Sequence, residues 1–129
     1  MTFLADVNVL LALAWSHHPD HGRARRWWSG LARGDALATC AITELGFVRV
    51  SVQPAFGAAD VAMARKALEQ LRAARPGGIL LPDSIGAEGL PEWVKSAKQT
   101  TDGHLVALAE SHGAQLVTFD TGIPGARVI

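Results

Sequence analysis

The sequence predicts an α/β fold in which a central parallel sheet is flanked by helices on both faces. Short apolar segments of strand length alternate with segments whose apolar residues recur every three or four positions, the spacing of helices that bury one side. The connections are short, and strands that alternate with helices in this way form parallel sheets through right-handed crossovers. The expected order is β-α-β-α-β-α-β, and 129 residues suit one domain, 1–129.

The first half of the chain is expected to contain two strands and three helices. In order, these are strand 2–5, helix 7–15, a helix with its last apolar contact at Leu31 and its end at Gly34, strand 36–39 and helix 42–51. Glycine commonly follows the last turn of a helix, and Pro54 prevents the third helix from continuing.

The second half repeats this alternation. It is expected to contain a helix with Val61, Ala64, Leu68 and Leu71 on one face, a stop at 75–78, strand 79–81, an irregular segment 82–99, a helix from Thr101 to the cap at Gly113, and strand 115–119. The segment 82–99 shows no periodicity and is expected to be irregular, and sequence specificity is expected to come from loops such as this one.

Composition excludes several classes of protein. Hydrophobic residues make up 49% and charged residues 19%, which is typical of an ordered globular domain. Twelve basic and twelve acidic residues cancel, so any attraction to nucleic acid must come from a local basic patch. The single cysteine, Cys40, cannot form an internal disulfide, and no segment approaches the ~20 apolar residues of a membrane span. We therefore expect a cytoplasmic protein that does not engage a membrane.

Four acidic residues stand at strand ends or helix starts. Asp6 and Asp120 follow the two clearest strands, whereas Glu44 and Asp102 open helices. Each alone has an ordinary structural explanation as a helix cap, a first-turn acid or a turn residue. Together they matter because ligands of parallel sheets bind at the carboxyl ends of the strands, where the predicted topology collects all four.

Several carboxylates in one crevice require a cation. Two unit charges ~4–5 Å apart repel by roughly 3–4 kcal/mol at an effective dielectric of 20. Oxygen ligands without cysteine or histidine favour Mg²⁺ or Mn²⁺ over zinc. Such an ion commonly polarises a phosphate and acidifies a bound water, so hydrolysis of phosphodiesters is the expected chemistry.

The motifs around these acids resemble those of PIN-domain ribonucleases. The resemblance rests on four segments that span nearly the whole chain in the family's order: residues 3–11 with Asp6-Val7-Asn8, residues 43–50 with Thr43-Glu44, residues 100–105 with Thr101-Asp102, and Thr118-Phe119-Asp120. Gly103-His104 departs from the family's usual small-then-aromatic pair. Within the family, the small size and the histidine-rich segment before Trp27 resemble the VapC toxins of bacterial toxin-antitoxin systems.

The resemblance implies a three-layer PIN-like fold and a metal-dependent endoribonuclease toxin. Asp6, Glu44, Asp102 and Asp120 would be the catalytic residues and would hold one or two ions. Asn8 would orient Asp6 or a metal-bound water, and Thr118 would brace the site. The resemblance further implies a homodimer and a cognate VapB-type antitoxin that covers the acidic cleft.

Other residues leave alternatives open. Lys95 and Lys98 precede Asp102 closely and are the preferred candidates for binding RNA phosphates, although charged helix faces are usually only solvated. The histidines at 17, 18 and 21 lack the spacing of structural zinc sites. Helical spacing favours a core or dimer-interface position for Trp27 and Trp28 over base stacking.

Competing functions also remain at this level. One is a non-catalytic RNA- or protein-binding module of the same fold, and others are a metal-dependent phosphatase or a DNA nuclease. The complete acidic set argues against the binding module. Phosphatases with a nucleophilic aspartate require a second aspartate two positions later, where this chain has Asn8.

Overall fold

In the computed structural model, which describes residues 1–75 and 78–129, the strands form one five-stranded sheet. The strands are β1 (Thr2–Ala5), β2 (Ala36–Cys40), β3 (Ile79–Leu81), β4 (Gln115–Thr118) and β5 (Arg127–Val128). The helices are α1 (Val7–Ala14), α2 (His21–Ser29), α3 (Ala41–Ser51), α4 (Val61–Ala73) and α5 (Ala97–Ser111). The predicted three-layer α/β architecture is confirmed.

The sheet has the order β3-β2-β1-β4-β5, and every neighbouring pair is parallel. Leu4 at the centre of β1 is in register with Ala38 of β2 and Leu116 of β4. Because all strands run the same way, their carboxyl ends meet at one edge of the sheet, which is where ligands bind in such folds.

Alternate residues of β1 divide the core into two layers. Phe3 and Ala5 pack against α1, α2, α3 and α4, whereas Leu4 packs against α5 on the opposite face. Leu4 is 0% exposed and Phe3 is 3% exposed. Full burial of such a side chain stabilises the fold by about 1.5–3 kcal/mol. Helices therefore cover both faces, as the continuous apolar character of the strands predicts.

Several predicted boundaries are wrong, including one-residue differences at the end of α1, the end of β2 and the start of α3. Helix α2 ends at Ser29 with Gly30 as its C-cap, so Leu31 and Gly34 lie beyond it. Helix α5 begins at Ala97, so Asp102 lies in its second turn and does not open the helix. Strand β4 ends at Thr118, before Phe119. Apolar periodicity detects only the buried part of an element, and the first turn of α5 is largely polar and exposed.

Strand β5 and the predicted stop at 75–78 are two further points at which prediction and structure can be compared. Strand β5 was not predicted, because its two exposed residues are too few to show a pattern. The predicted stop at 75–78 includes Pro76 and Gly77, which lie outside the described residues.

The segment between β3 and α5 is mostly irregular, as predicted, with a 3₁₀ turn at Ala87–Gly89. It packs closely on α5 at Gly103, where a Cβ atom would overlap the side chain of Val94 and approach Pro91 at 3.3 Å. The close approach explains why glycine follows the third acidic residue.

The tryptophans in the first half of the chain serve the core. Trp15 stacks on Phe47 with 6.0 Å between ring centroids and donates through Nε1 to Ser51 Oγ at 2.9 Å. Trp27 meets the ring of Phe3 edge-on at 5.7 Å, and Trp28 is only 7% exposed. Of the predicted core or dimer-interface positions, Trp28 lies in the core, whereas Trp27 is partly buried against it, and the dimer interface stays a prediction. Among the described helices, none has the length and apolarity needed to cross a membrane.

Candidate active site

Asp6 lies at the carboxyl end of β1 and caps α1. Its Oδ1 accepts a hydrogen bond from the Val7 amide at 2.8 Å, which satisfies one of the free N–H groups of the first helical turn. Its Oδ2 accepts from the Thr118 hydroxyl at 2.7 Å. Burial raises the pKa of Asp6, and the charge of Asp120 raises it further, whereas the two hydrogen bonds oppose the shift. The fold therefore places this carboxylate where its ionised form is disfavoured.

Thr118, at the end of β4, connects three parts of the site. The residue is 0% exposed, and its hydroxyl proton points to Asp6. The same oxygen accepts from Asn8 Nδ2 and from the Asp120 amide, both at 3.1 Å. Asn8 also accepts from the Phe119 amide at 3.4 Å. Thr118 thus orients Asp6 directly, and Asn8 is linked to Asp6 through Thr118.

Asp102 and Asp120 lie close enough to Asp6 for their charges to interact. Burial raises the pKa of Asp102, followed by the charges of Asp6 and Asp120, while Lys98 lowers it. Asp120 is exposed, and its Oδ1 accepts from the Gly122 amide at 2.7 Å. We call Asp6, Asp102 and Asp120 the aspartate cluster.

Glu44 lies in the first turn of α3 and is bound to a different set of residues. Its Oε1 accepts from the buried Thr39 hydroxyl at 2.6 Å and from Arg72 Nη1 at 2.9 Å. Its side chain is 21% exposed. Glu44 is not among the groups that shift the pKa of Asp6 or Asp102. The charge of Glu44 is therefore balanced within the protein.

Sequence reasoning missed Arg72. It lies on α4, 28 residues after Glu44, on a helix whose sequence shows only an amphipathic pattern. No local signal distinguishes it from the exposed arginines of the chain, because its partner is set by the packing of α4 against α3.

The donor chemistry of the site suits a divalent cation. The aspartate cluster offers oxygen ligands, and the mutual repulsion that raises the pKa of Asp6 and Asp102 is the charge that a cation would offset. Across residues 1–75 and 78–129, no group of three or more acidic, histidine or cysteine side chains is arranged to hold an ion. The aspartate cluster thus has the ligand type and the charge that Mg²⁺ prefers, but its side chains are not arranged as a complete ion site, and Glu44 is turned toward Arg72.

The charge of Lys98 acts on the aspartate cluster. It lies one turn before Asp102 on α5, and its charge lowers the pKa of that carboxyl. Lys95 is exposed, and its backbone amide donates to Gln99 Oε1 at 2.8 Å ahead of the helix. Of the two lysines, Lys98 is the one whose charge acts on the aspartate cluster.

His104, which follows Asp102 by two positions on α5, is partly buried and has a specific partner. Its Nε2 lies 2.5 Å from Asp83 Oδ2, and the two side chains are 14% and 16% exposed. Burial alone would raise the pKa of Asp83, but hydrogen bonds from His104 and from the Ile85 amide lower it below the usual value. His104 therefore connects α5 to the loop that follows β3.

The histidines between α1 and α2 have local structural partners. His21 Nδ1 lies 2.7 Å from the Ala12 carbonyl oxygen, and His18 Nδ1 accepts from the Asp20 amide at 3.0 Å. The rings of His17 and His18 lie near Phe56. These contacts hold the connection between the helices.

Comparison with known proteins agrees with the motifs. The PIN domain family matches residues 3–127. The chain is 43% identical to Ribonuclease VapC38 of Mycobacterium tuberculosis over 123 residues, covering 93% of this chain and 86% of the relative. It is 38% identical to Ribonuclease VapC39 of the same organism, covering 95% of this chain and 91% of the relative.

Solved structures share the fold. The crystal structure of Mycobacterium tuberculosis VapC20, a toxin that cleaves the sarcin-ricin loop, matches with a TM-score of 0.64 at 13% identity and covers 94% of this chain and 92% of that chain. VapBC-1 from nontypeable Haemophilus influenzae matches with a TM-score of 0.63 at 21% identity and covers 100% of this chain and 97% of that chain. The chain belongs to the PIN-domain family and, within it, to the VapC-type proteins.

Proposed function

We propose that this protein is a cytoplasmic Mg²⁺- or Mn²⁺-dependent endoribonuclease toxin that hydrolyses RNA phosphodiester bonds and is inhibited by a cognate VapB-type antitoxin. The observation that carries the proposal is the aspartate cluster at the carboxyl edge of the sheet, where burial and mutual repulsion raise the pKa of Asp6 and Asp102. A site that concentrates unneutralised carboxylates in this way favours binding of a divalent cation.

The proposal assigns a role to each residue of the site. Asp6, Asp102 and Asp120 hold the ion directly or through water, and Glu44 contributes from its position beside Arg72. When bound, the ion would polarise the scissile phosphate and acidify a water molecule. Thr118 keeps the Asp6 carboxylate oriented through its 2.7 Å hydrogen bond. Lys98 and Lys95 would attract the phosphates that flank the cut, a contact that positions RNA without reading its sequence.

The choice of RNA as substrate rests on the relatives. VapC38 and VapC39 are both named ribonucleases, and they match nearly the whole chain. The antitoxin is supported by structural neighbours that are VapBC assemblies from Haemophilus influenzae and Rickettsia felis. A homodimer is part of the same proposal.

The main alternative is a binding module that keeps the fold without the chemistry. The intact aspartate cluster and its hydrogen-bonded support by Thr118 favour an enzyme, because a protein without catalysis has no need to retain three repelling carboxylates. A DNA nuclease or a phosphatase would use the same acids, and only substrate tests separate these activities.

The test is incubation of the purified, antitoxin-free chain with total cellular RNA, duplex DNA and a phosphomonoester, in Mg²⁺, Mn²⁺ or EDTA. We expect discrete RNA fragments that require metal and that disappear in Asp6→Asn and Asp102→Asn. Glu110→Gln, an exposed acid on the same helix as Asp102, is the matched control and should cut normally. A folded, metal-loaded protein that leaves RNA intact would overturn the proposal.

A further inference from the structure

An open cavity lies between residues that neighbour Glu44 and Asp102 along α3 and α5. It has a volume of about 270 Å³ and is bordered by the start of α3, the first turns of α5 and the loop after β3. Its walls include Ile42, Ile85, Leu90, Thr101 and His104. None of the proposed metal ligands or lysines lines it, so the function proposed above leaves it without a role.

We propose that this cavity receives one unpaired nucleobase of the RNA, next to the phosphate that lies at the aspartate cluster, and so determines which sequence is cut. This inference rests on the proposed ribonuclease function and extends it from the scissile bond to the choice of base.

The position of the cavity links it to the cluster through two helices. On α3, Ile42 precedes Glu44 by two positions, and on α5, Thr101 and His104 lie on either side of Asp102. Residues three apart share a helix face, so Thr101 and His104 line one side of α5 while Asp102 occupies another side of the same turns. A ligand in the cavity would therefore contact the same turns of α3 and α5 that carry Glu44 and Asp102, which is where we place the nucleotide next to the cut.

The lining favours a base over a phosphate. The described residues around the cavity carry aliphatic, hydroxyl and imidazole groups and include no lysine, arginine, aspartate or glutamate. Aliphatic side chains can cover the two flat faces of a base, whereas Thr101 and His104 can hydrogen-bond its polar edge. Sequence-specific recognition of RNA usually works this way, on unstacked bases of single-stranded segments. Ile42, 39% exposed at the rim, would be covered by such a base.

The cavity wall is fixed before any ligand arrives. Asp83 bonds His104 through one carboxylate oxygen and accepts from the Ile85 amide at 3.1 Å through the other, which ties the loop to α5. A second tie joins His112 Nε2 to the Pro82 carbonyl oxygen at 2.8 Å. Asp83 occupies the Nε2 atom of His104. Among the described residues, no hydrogen bond involves the other ring nitrogen, Nδ1, so that atom is available to a ligand.

The experiment compares the base preference of the wild type, whose cavity is open, with that of Ile42→Trp, whose larger side chain fills the cavity. Wild type and Ile42→Trp cut short single-stranded RNAs in which each position around the cleavage site is randomised, and the products are sequenced. We expect wild type to prefer particular bases, and Ile42→Trp to lose at least tenfold of the preference at one position only. Leu45→Trp, on the same helix but 68% exposed and outside the cavity, is the matched control and should keep the wild-type preference.

A binding measurement complements the cleavage data. 2-Aminopurine placed at successive positions of a cut RNA should change fluorescence on binding to wild type in EDTA at that same position, and Ile42→Trp should abolish the change. Where Ile42→Trp lowers the melting temperature, Thr101→Val serves instead and should weaken the preference at least threefold.

The outcomes separate the two proposals. RNA cleavage by wild type with equal use of all bases, or with a preference that both cavity variants retain, overturns the nucleobase site and leaves the ribonuclease standing. Absence of metal-dependent RNA cleavage by wild type overturns both.

Discussion

Thr118→Val removes a single hydroxyl group from the centre of the candidate site and keeps its shape. That hydroxyl donates to Asp6 at 2.7 Å and accepts from Asn8 and from the Asp120 amide, each at 3.1 Å. Thr118 is 0% exposed, so water cannot easily replace the lost group. The substitution therefore tests whether the support of Asp6 is as strong as the geometry indicates.

The expected loss of stability follows from the hydrogen bonds. A hydrogen bond to a charged group contributes about 1.5–3 kcal/mol, and the amide of the exposed Asp120 can turn to water at little cost. We expect Thr118→Val to lower the free energy of unfolding by about 2–3 kcal/mol at neutral pH. For a domain of this length that corresponds to a fall in melting temperature of roughly 6–12 °C.

The pH dependence distinguishes a charge effect from lost packing. Folding raises the pKa of Asp6 above its ordinary 3.8, so ionisation of Asp6 reduces stability as the pH rises from that value through the raised one. The Thr118 bond limits this loss, and its removal raises the pKa further. The difference between Thr118→Val and wild type should therefore be small below about pH 4 and complete at neutral pH.

Urea unfolding from pH 3.5 to 8, in EDTA, measures both quantities. Thr100→Val is the control, because it makes the same substitution at an exposed position of α5 and should change stability by less than about 0.5 kcal/mol. A Thr118→Val difference that stays constant with pH would refute the assigned link between this hydroxyl and the ionised Asp6.

The other predictions concern charge and packing around the same site. Asp102→Asn should raise the melting temperature in EDTA by about 2–4 °C at neutral pH, because it removes a charge repelled by its neighbours, and should reduce the stabilisation by Mn²⁺. Arg72→Met should free Glu44 and strengthen Mn²⁺ binding by about 1 kcal/mol, or about fivefold, in calorimetry. Gly103→Ala should destabilise by about 1–3 kcal/mol in urea unfolding, because its methyl group overlaps Val94.

Each of these has a matched control and a contrary outcome. Glu110→Gln should not stabilise the protein in EDTA, and equal stabilisation by both variants would assign the effect to net charge. Arg65→Met removes an exposed arginine of α4 and should leave Mn²⁺ affinity unchanged. Gly34→Ala has nothing within 4 Å of its new methyl group, so an equal loss of stability there would remove packing as the cause.

The sequence predicted most of the fold because its signals are local. A short apolar run followed by helical spacing predicts strand β1 and helix α1, and Asp6 lies at their junction as a helix cap. The beginning of α5 was not predicted, because its first turn contacts little of the core and has no apolar periodicity. Strand β5 was not predicted, because it is defined by its pairing with β4 and not by a pattern in its own sequence.

The candidate site likewise has one part that the sequence predicted and another that only the tertiary structure created. By itself, the sequence determined the α/β class and the places of Asp6 and Asp120 after strands, since these follow from periodicity and from the direction of parallel strands, whereas the supporting role of Thr118 came from the resemblance to PIN-domain ribonucleases. Only the tertiary structure decided that Glu44 pairs with Arg72 and that Asp83 holds His104 beside a cavity. These partners are 28 and 21 residues apart, and helix packing rather than sequence spacing brings them together.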